Sequence, residues 1–247
     1  MDAQAAFVGA LIAFAATSLG ALGALFIRKP NRELLLCIMA MAAGVMAYSS
    51  IEMFLQANAA AGAGIALFGL GIGIACFIAL EKIIPHVHAY IRKERISDEK
   101  KKTALIVGTV TLHNIPEGFA IASAFAASPA LGWLVTSSIS LQDIPEGLVV
   151  AAPLQAYGIK TNHSVLFGIF SGFVEFAAAI FGIIFLEAVV AATPLALSFS
   201  AGAMGFVTVS ELLPDSFSGK DKLRPALSLI AGFALAFVLS MLLAPKL

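Results

Sequence analysis

Charged residues are scarce in this chain. They make up 12% of its 247 residues, whereas a soluble globular domain averages about 25%. Fifteen lysines and arginines balance fifteen aspartates and glutamates, and the basic residues lie in short loops, so nothing indicates a nucleic-acid partner. Hydrophobic residues make up 60% of the chain and the mean hydropathy is +0.97. This composition predicts a protein that crosses a membrane several times.

Cysteine is rare as well. Cys37 and Cys76 lie inside apolar runs and form no CxxC pair, so neither a disulfide nor a thiolate metal site is indicated, and both are predicted to be small buried apolar residues. The HExxH motif of zinc proteases is also absent, which disfavours an intramembrane metalloprotease. No lysine or arginine lies in the middle of an apolar run to hold an anionic solute, which disfavours a proton-coupled carrier of organic solutes.

Long apolar runs fill most of the chain. A membrane-spanning helix needs about 20 mostly apolar residues. The run from Phe7 to Ile27 is too long for a signal-peptide core and is predicted to be a retained span. The whole chain, 1–247, is predicted to be one all-α integral membrane domain with a cytoplasmic loop at about 92–102. Its eight predicted spans are about 4–27, 33–56, 62–84, 103–127, 131–156, 162–187, 191–213 and 224–244.

The basic residues predict the orientation of these spans. Thirteen of the 15 lysines and arginines lie in the predicted first, third, fifth and seventh loops, and the even-numbered loops contain none. Cytoplasmic loops carry the excess of positive charge. The odd-numbered loops are therefore assigned to the cytoplasm, and the N- and C-termini are predicted to be extracytoplasmic.

Two related motifs place polar residues inside the fourth and fifth spans. They read TLHNIPEGFA (111–120) and SLQDIPEGLV (140–149). Side chains three and four residues apart share a helix face, so each motif presents three polar groups together. Pro116 and Pro145 each remove a helix hydrogen bond, and exposed backbone at this depth is tolerated inside protein or beside a wet cavity. The alternative is a kinked helix whose polar groups only join it to its neighbours.

Four carboxylates lie near the centres of predicted spans, and no basic residue lies at the same depth. A carboxylate at mid-bilayer costs at least about 2.5–3.5 kcal/mol, so these acids must be protonated, hydrated or bound to cations. Two divalent cations would cancel four negative charges. Imidazole and oxygen ligands without a thiolate suit Zn, Fe, Mn or Co better than Ca or Mg. The predicted metal ligands are His113, Asn114, Glu117, Gln142, Asp143, Glu146 and Glu175.

The motifs also predict transport. They cross the bilayer in opposite directions, and AGVMAYSSIE (43–52) is weakly repeated, also inverted, as AGAMGFVTVSE (201–211). Inverted repeats around a site at the midplane are typical of secondary transporters that work by alternating access. The predicted pathway runs from Glu52 near the outside to Glu211, His86 and His88 near the cytoplasm. A selective channel with the same site stays open as an alternative.

The sequence resembles the ZIP family of divalent-metal transporters along its whole length, and in particular the bacterial GufA-like members. The HNxPEG signature of that family is matched by His113, Asn114, Pro116, Glu117 and Gly118. The second motif departs from the signature, because glutamine and aspartate stand at positions 142 and 143 in place of histidine and asparagine.

The resemblance implies that the chain moves zinc or a related ion (Fe, Mn, Co or Cd) toward the cytosol of a bacterium, as cargo and not as a catalytic cofactor. It implies a binuclear site bridged by Glu117 and Glu146. One metal would be held with His113 and Gln142, the other with Asn114, Asp143 and Glu175. An elevator-type motion of spans one, four, five and six, a homodimer and placement in the inner membrane are implied too. The extra charge at Asp143 implies a broader range of metals.

Overall fold

The computed structural model describes residues 2–26, 31–93, 98–156, 159–188 and 190–243, and within these ranges it leaves undescribed the side chains of residues 32, 81–93, 98–110, 112, 113, 153, 156 and 243. The secondary structure in the described ranges is helical and includes no strand. The first five helices are α1 (Ala3–Gly23), α2 (Arg32–Lys93), α3 (Asp98–Ala127), α4 (Pro129–Ala156) and α5 (Thr161–Ala188).

The last third of the chain is less regular. A 3₁₀ turn (Val190–Ala192) leads into α6 (Thr193–Val207), which continues as a π-helix (Thr208–Leu212) and then as α7 (Leu213–Ser216). Helix α8 (Leu223–Leu243) follows. A π-helical turn inside an α-helix is rare and occurs frequently at functional sites, and this one carries Glu211, a predicted pathway residue.

Short polar side chains define where several helices begin. Each accepts a hydrogen bond from a backbone N–H of the first turn, which has no partner inside the helix. Asp2 accepts from the N–H of Ala5 at 3.0 Å, and Ser128 accepts from that of Leu131 at 3.1 Å. Asn31 and Asp221 cap α2 and α8 in the same way. The interruption between α3 and α4, predicted at residues 128–130, is therefore Ser128 alone.

Helix α2 contains the second and third predicted spans. Residues 57–61, which separate the two predicted spans, are helical, and the helix is interrupted at a single residue, Gly62, with φ 80° and ψ 164°. Such a backbone conformation favours glycine, which has no Cβ. The predicted cytoplasmic loop is also shorter than expected, since α2 extends to Lys93 and α3 begins at Asp98.

Five stretches of the described residues are long and apolar enough to cross a membrane. They are Ala3–Gly23, Glu33–Leu80, Thr161–Ala188, Val190–Ser216 and Leu223–Leu242, and the second has 48 residues. Helix α4 is 28 residues long, but polar residues in its middle lower its hydropathy. The prediction of an all-α, multi-pass integral membrane protein is confirmed. The prediction that both cysteines are buried is wrong, because Cys76 is exposed and Cys37 is only partly buried.

The helices pack in two groups. Helix α1 packs on α4 and α5, and α3 packs most extensively on α5 and then on α4. Helix α2 packs most extensively on α6 and on α8. The first group is therefore α1, α3, α4 and α5, the second is α2, α6, α7 and α8, and the boundary between them is called the seam below. Across the seam, α3 contacts α6 and α2 contacts α4.

Helices α1 and α4 approach each other through reciprocal glycines. A Cβ on Gly20 of α1 would collide with the carbonyl of Ile144 on α4, and a Cβ on Gly147 of α4 would collide with the carbonyl of Thr17 on α1. In each helix the glycine lies three residues after the carbonyl that the opposite glycine faces. Small residues let helix backbones meet at this distance in membranes. The glycine that ends the second motif is thus needed for packing.

The same reciprocal contact joins α2 to α8 and α2 to α6. In these pairs, too, each glycine lies three residues after the carbonyl that the opposite glycine faces. The contacts are Gly44 with Leu229, Gly232 with Met41, Gly202 with Leu70 and Gly73 with Phe199. Gly118 of the first motif faces the carbonyl of Glu175 between α3 and α5. Each of these backbone contacts joins two helices of the same group.

Two glycines of α2 provide a matched test of this packing. A Cβ on Gly44 would meet the carbonyl of Leu229, whereas a Cβ on Gly71 would meet nothing within 4 Å. Overpacking costs typically about 1–3 kcal/mol, and a backbone carbonyl has no rotamer by which to move away. Gly44→Ala is expected to lower the apparent melting temperature of the purified protein, and Gly71→Ala to leave it unchanged or raise it, because alanine is the better helix former. Equal shifts would contradict the assigned contact.

Candidate metal centre

The first predicted motif lies on α3 and the second on α4. Both helices continue without a break through Pro116 and Pro145. Four polar residues of the motifs are buried, since Asn114, Glu117 and Asp143 have 0% of their surface exposed and Gln142 has 1%, while Glu146 is partly buried. The hydrophobic cluster around them includes Ile121 on α3 and Ile139 on α4. The spacing that places these polar groups on shared helix faces therefore also places them inside the protein.

Three carboxylates from the two motifs come together. Glu117, Asp143 and Glu146 each offer one oxygen, and these oxygens lie within 4.8 Å of one another. Carboxylate oxygens bind zinc at about 2.0–2.2 Å, so two of them on one ion are at most about 4.4 Å apart. Small side-chain rotations therefore suffice to bring the three oxygens onto one divalent cation.

Glu175 reaches the same region from α5. Its side chain is 1% exposed, and its carbonyl packs against Gly118 of the first motif. Its carboxylate is close enough to interact electrostatically with those of Asp143 and Glu117. The Oε2 atom of Glu175 accepts a hydrogen bond from the hydroxyl of Thr17 on α1, at 3.4 Å. Four carboxylates from three helices are thus gathered in one buried region.

The amide side chains of the motifs face these acids. The Nε2 atom of Gln142 donates a hydrogen bond to Oε1 of Glu117, which leaves the amide oxygen of Gln142 without a partner in the described part of the chain. Both side-chain polar atoms of Asn114 also lack a partner there. Amide oxygens of this kind are suitable ligands for a divalent cation.

Polar atoms without partners are concentrated in this region. A buried polar atom left unsatisfied costs about 1–3 kcal/mol, and more when it is charged, so these atoms need partners such as water or a bound cation. Between Lys102 and Lys220 the sequence contains a single lysine or arginine, Lys160. Among the described residues, the atoms without a hydrogen-bond partner include Glu117 Oε2, Asp143 Oδ1, Asp143 Oδ2 and Glu175 Oε1.

The remaining predicted site residues are placed as follows. His113 precedes Asn114 on α3, and its side chain lies outside the described part, as do those of His86 and His88 on α2. Glu52 is partly buried and does not belong to the three-carboxylate group. It accepts hydrogen bonds from Tyr48 at 3.4 Å and from Gln56 at 3.0 Å. Glu211 is partly buried in the π-helix. The role of each in transport stays a prediction.

Thr17 is a site residue that sequence reasoning missed. It is completely buried and contacts Glu175 from a helix that carries no motif. The available signal was weak: Thr17 and Ser18 are the only hydroxyl residues in the apolar run 7–27. A lone threonine in a membrane helix usually bonds to its own backbone.

The fold and the buried acids together define a class of protein. A polytopic helical membrane protein that gathers carboxylates without basic counter-charges is built to bind cations within the bilayer. The ZIP zinc transporter family matches residues 93–240, which is more than half of the chain. The chain therefore belongs to the ZIP family, and it is a member of a transporter family rather than an enzyme.

Curated bacterial relatives agree with this assignment. The zinc transporter GufA of Myxococcus xanthus is 38% identical over 72% of this chain and 69% of its own length. The zinc transporter ZIPB of Bordetella bronchiseptica is 34% identical over 95% of this chain and 80% of its own length. The zinc transporter ZupT of Escherichia coli is 28% identical over 91% of both chains.

Proposed function

We propose that this chain transports divalent transition-metal cations across the membrane toward the cytosol, with zinc as the main cargo and Fe, Mn, Co or Cd as further candidates. The observation that carries the proposal is the group of Glu117, Asp143 and Glu146, of which the first two are buried and the third is partly buried. The names of the relatives support zinc. The lack of thiolates and the presence of His113 favour a borderline metal over calcium or magnesium.

We propose that the site binds two metals. Glu117 and Glu146 bridge them, His113 and Gln142 complete one site, and Asn114, Asp143 and Glu175 complete the other. Gln142, a ligand of the first metal, is hydrogen-bonded to Glu117. Glu175, a ligand of the second metal, lies on α5 and is hydrogen-bonded to Thr17. A different hydrogen bond therefore holds a ligand in each of the two sets. Two divalent cations also neutralise the four carboxylates, which a single ion does not.

The proposed arrangement in the membrane has eight spans. Helix α2 provides two of them, one on each side of Gly62. The basic loops face the cytoplasm, both termini lie on the opposite side, and the membrane is the bacterial inner membrane. The homodimer implied by the family resemblance stays a prediction.

Alternating access is proposed to occur by movement of α1, α3, α4 and α5 against the second group. The reciprocal glycine contacts support this, because they fasten helices inside each group. The seam differs: it holds a cavity of about 200 Å³ with apolar lining residues from both groups, among them Phe119 of α3 and Phe199 of α6. These two rings are in edge-to-face contact, with centroids 5.9 Å apart. Side chains can exchange such contacts, whereas glycine–backbone contacts leave no such freedom.

The proposed path for the ion begins at Glu52 and ends at Glu211, His86 and His88. Both glutamates are partly buried.

Metal-dependent stability and uptake test the function together. A ligand whose concentration is 100 times its dissociation constant stabilises the folded protein by about 2.7 kcal/mol. Zinc is therefore expected to raise the melting temperature of the purified protein, with smaller shifts from the other transition metals and none from magnesium. Proteoliposomes should show saturable zinc uptake that these metals inhibit. A protein that no divalent ion stabilises would refute the proposal, and single-channel currents would identify a channel instead.

A further inference from the structure

Thr17 occupies a fixed position beside the carboxylate of Glu175. Its side chain has no exposed surface, and its hydroxyl lies 3.4 Å from Oε2 of Glu175 and 3.2 Å from the backbone carbonyl of Ala13. The other carboxylate oxygen, Oε1, has no hydrogen-bond partner in the ranges that the structure describes. In the described part of the chain, the hydrogen bond to the Glu175 carboxylate therefore comes from α1.

The neighbours of Thr17 leave its side chain little freedom to turn away. A Cβ on Gly172 of α5 would lie 2.8 Å from the Cβ of Thr17 and 3.2 Å from its Oγ1. On its other side, the carbonyl of Thr17 packs against Gly147 of the second motif. Thr17 is thus held between the helix that carries Glu175 and the helix that carries Asp143.

The hydroxyl of Thr17 has one proton and two acceptors within reach. The carbonyl of Ala13 is a neutral acceptor, the usual partner of a threonine inside a helix. An ionised Glu175 is a charged acceptor, and charge-assisted hydrogen bonds are roughly twice as strong as neutral ones. The proton is therefore directed to Glu175 whenever that carboxylate is ionised, as it is when it binds a metal. This bond occupies Oε2 and leaves Oε1, which has no hydrogen-bond partner among the described residues, available as a metal ligand.

We propose that Thr17 is a positioning residue for Glu175, and that through its hydroxyl α1 helps to form the second metal site. The inference rests on the proposed function, in which Glu175 is a ligand of the second metal. Groups that hold a metal ligand by a hydrogen bond commonly contribute 10- to 100-fold to metal affinity. Loss of the hydroxyl is therefore expected to weaken the second metal about 10- to 100-fold and to leave the first metal nearly unchanged.

Substitutions at two buried threonines separate this role from packing. Thr17→Val removes the hydroxyl and keeps the shape, and Thr17→Ser restores the hydroxyl. Thr136→Val is the matched control, because Thr136 is 1% exposed and its hydroxyl has no partner among the described residues. Thr17→Ala removes the hydroxyl without the valine methyl, should valine prevent folding.

The measurement is zinc binding to purified, metal-free protein, titrated against a chromophoric chelator, with the absorption spectrum of bound Co²⁺ as a second readout. We expect two ions in the wild type, a weakened second ion and an altered Co²⁺ spectrum in Thr17→Val and Thr17→Ala, and wild-type behaviour in Thr17→Ser and Thr136→Val. Equal binding by Thr17→Val and wild type would overturn the proposal, as would equal losses in both valine variants. A wild type that binds a single ion would refute the binuclear site itself.

Discussion

Replacement of Glu117 or Glu146 by alanine is expected to abolish zinc uptake. Both residues belong to the group of three carboxylates whose oxygens lie within 4.8 Å of one another, and in the proposed site each binds both metals. Loss of a residue that merely supports a ligand costs 10- to 100-fold, so loss of a shared ligand should reduce uptake by at least about 100-fold. Initial rates of ⁶⁵Zn uptake into proteoliposomes measure the effect.

The stability of the metal-free protein separates a lost ligand from a misfolded chain. Glu117 is completely buried, and its Oε2 atom has no hydrogen-bond partner in the described ranges, so its removal relieves an unfavourable burial. Glu117→Ala without metal should therefore melt at the wild-type temperature or above it, and zinc should no longer raise that temperature. Glu187→Ala is the control, because Glu187 is exposed near the end of α5. Normal uptake by either site variant would sink the shared-site proposal.

Removal of Asp143 is expected to halve the metal content. In the proposed site Asp143 binds only the second metal, and it is completely buried. Asp143→Ala should thus contain one zinc per chain where the wild type contains two, while the first metal keeps its His113 and Gln142 ligands. Elemental analysis of purified protein after zinc loading and desalting gives the stoichiometry.

An asparagine at the same position is the informative comparison. Asp143→Asn keeps an amide oxygen for the second metal and removes one negative charge. It should keep two metals, bind the second more weakly, and accept a narrower range of ions in uptake competition. Two tightly held zinc ions in Asp143→Ala would show that Asp143 is not a ligand.

Helix periodicity accounts for the part of the site that was predictable. Asp143 and Glu146 are three residues apart, so an α-helix places them on one face, and the structure brings both to Glu117. Glu175 was predicted only as another acid at the same depth, because a sequence pattern within one helix carries no information on which face of a different helix is opposite. The structure supplies this information through the contact of Gly118 with the Glu175 carbonyl.

Other features of the fold could not be predicted from the sequence for similar reasons. Glycines at positions 20, 44, 202 and 232 look like ordinary small residues of membrane helices, and their reciprocal contacts depend on helix pairing. The turn at Gly62 was predicted as a five-residue connection, because the small apolar residues before it favour helix as readily as loop. Helix α2 also continues to Lys93, beyond the predicted end of the third span, because hydropathy detects the bilayer and not the end of a helix.

The reciprocal glycine contacts also bear on how the chain is assembled as it is synthesised. They join α1 to α4, the part of α2 before Gly62 to α8, and the part after it to α6. Because the N-terminal segments emerge first during synthesis, α1 and α2 enter the membrane long before their partners exist. The surface of α2 around Gly44 stays without its partner for the longest time, until α8 has been synthesised. A chain that stalls before α8 therefore leaves the small-residue face of α2 around Gly44 without its partner helix.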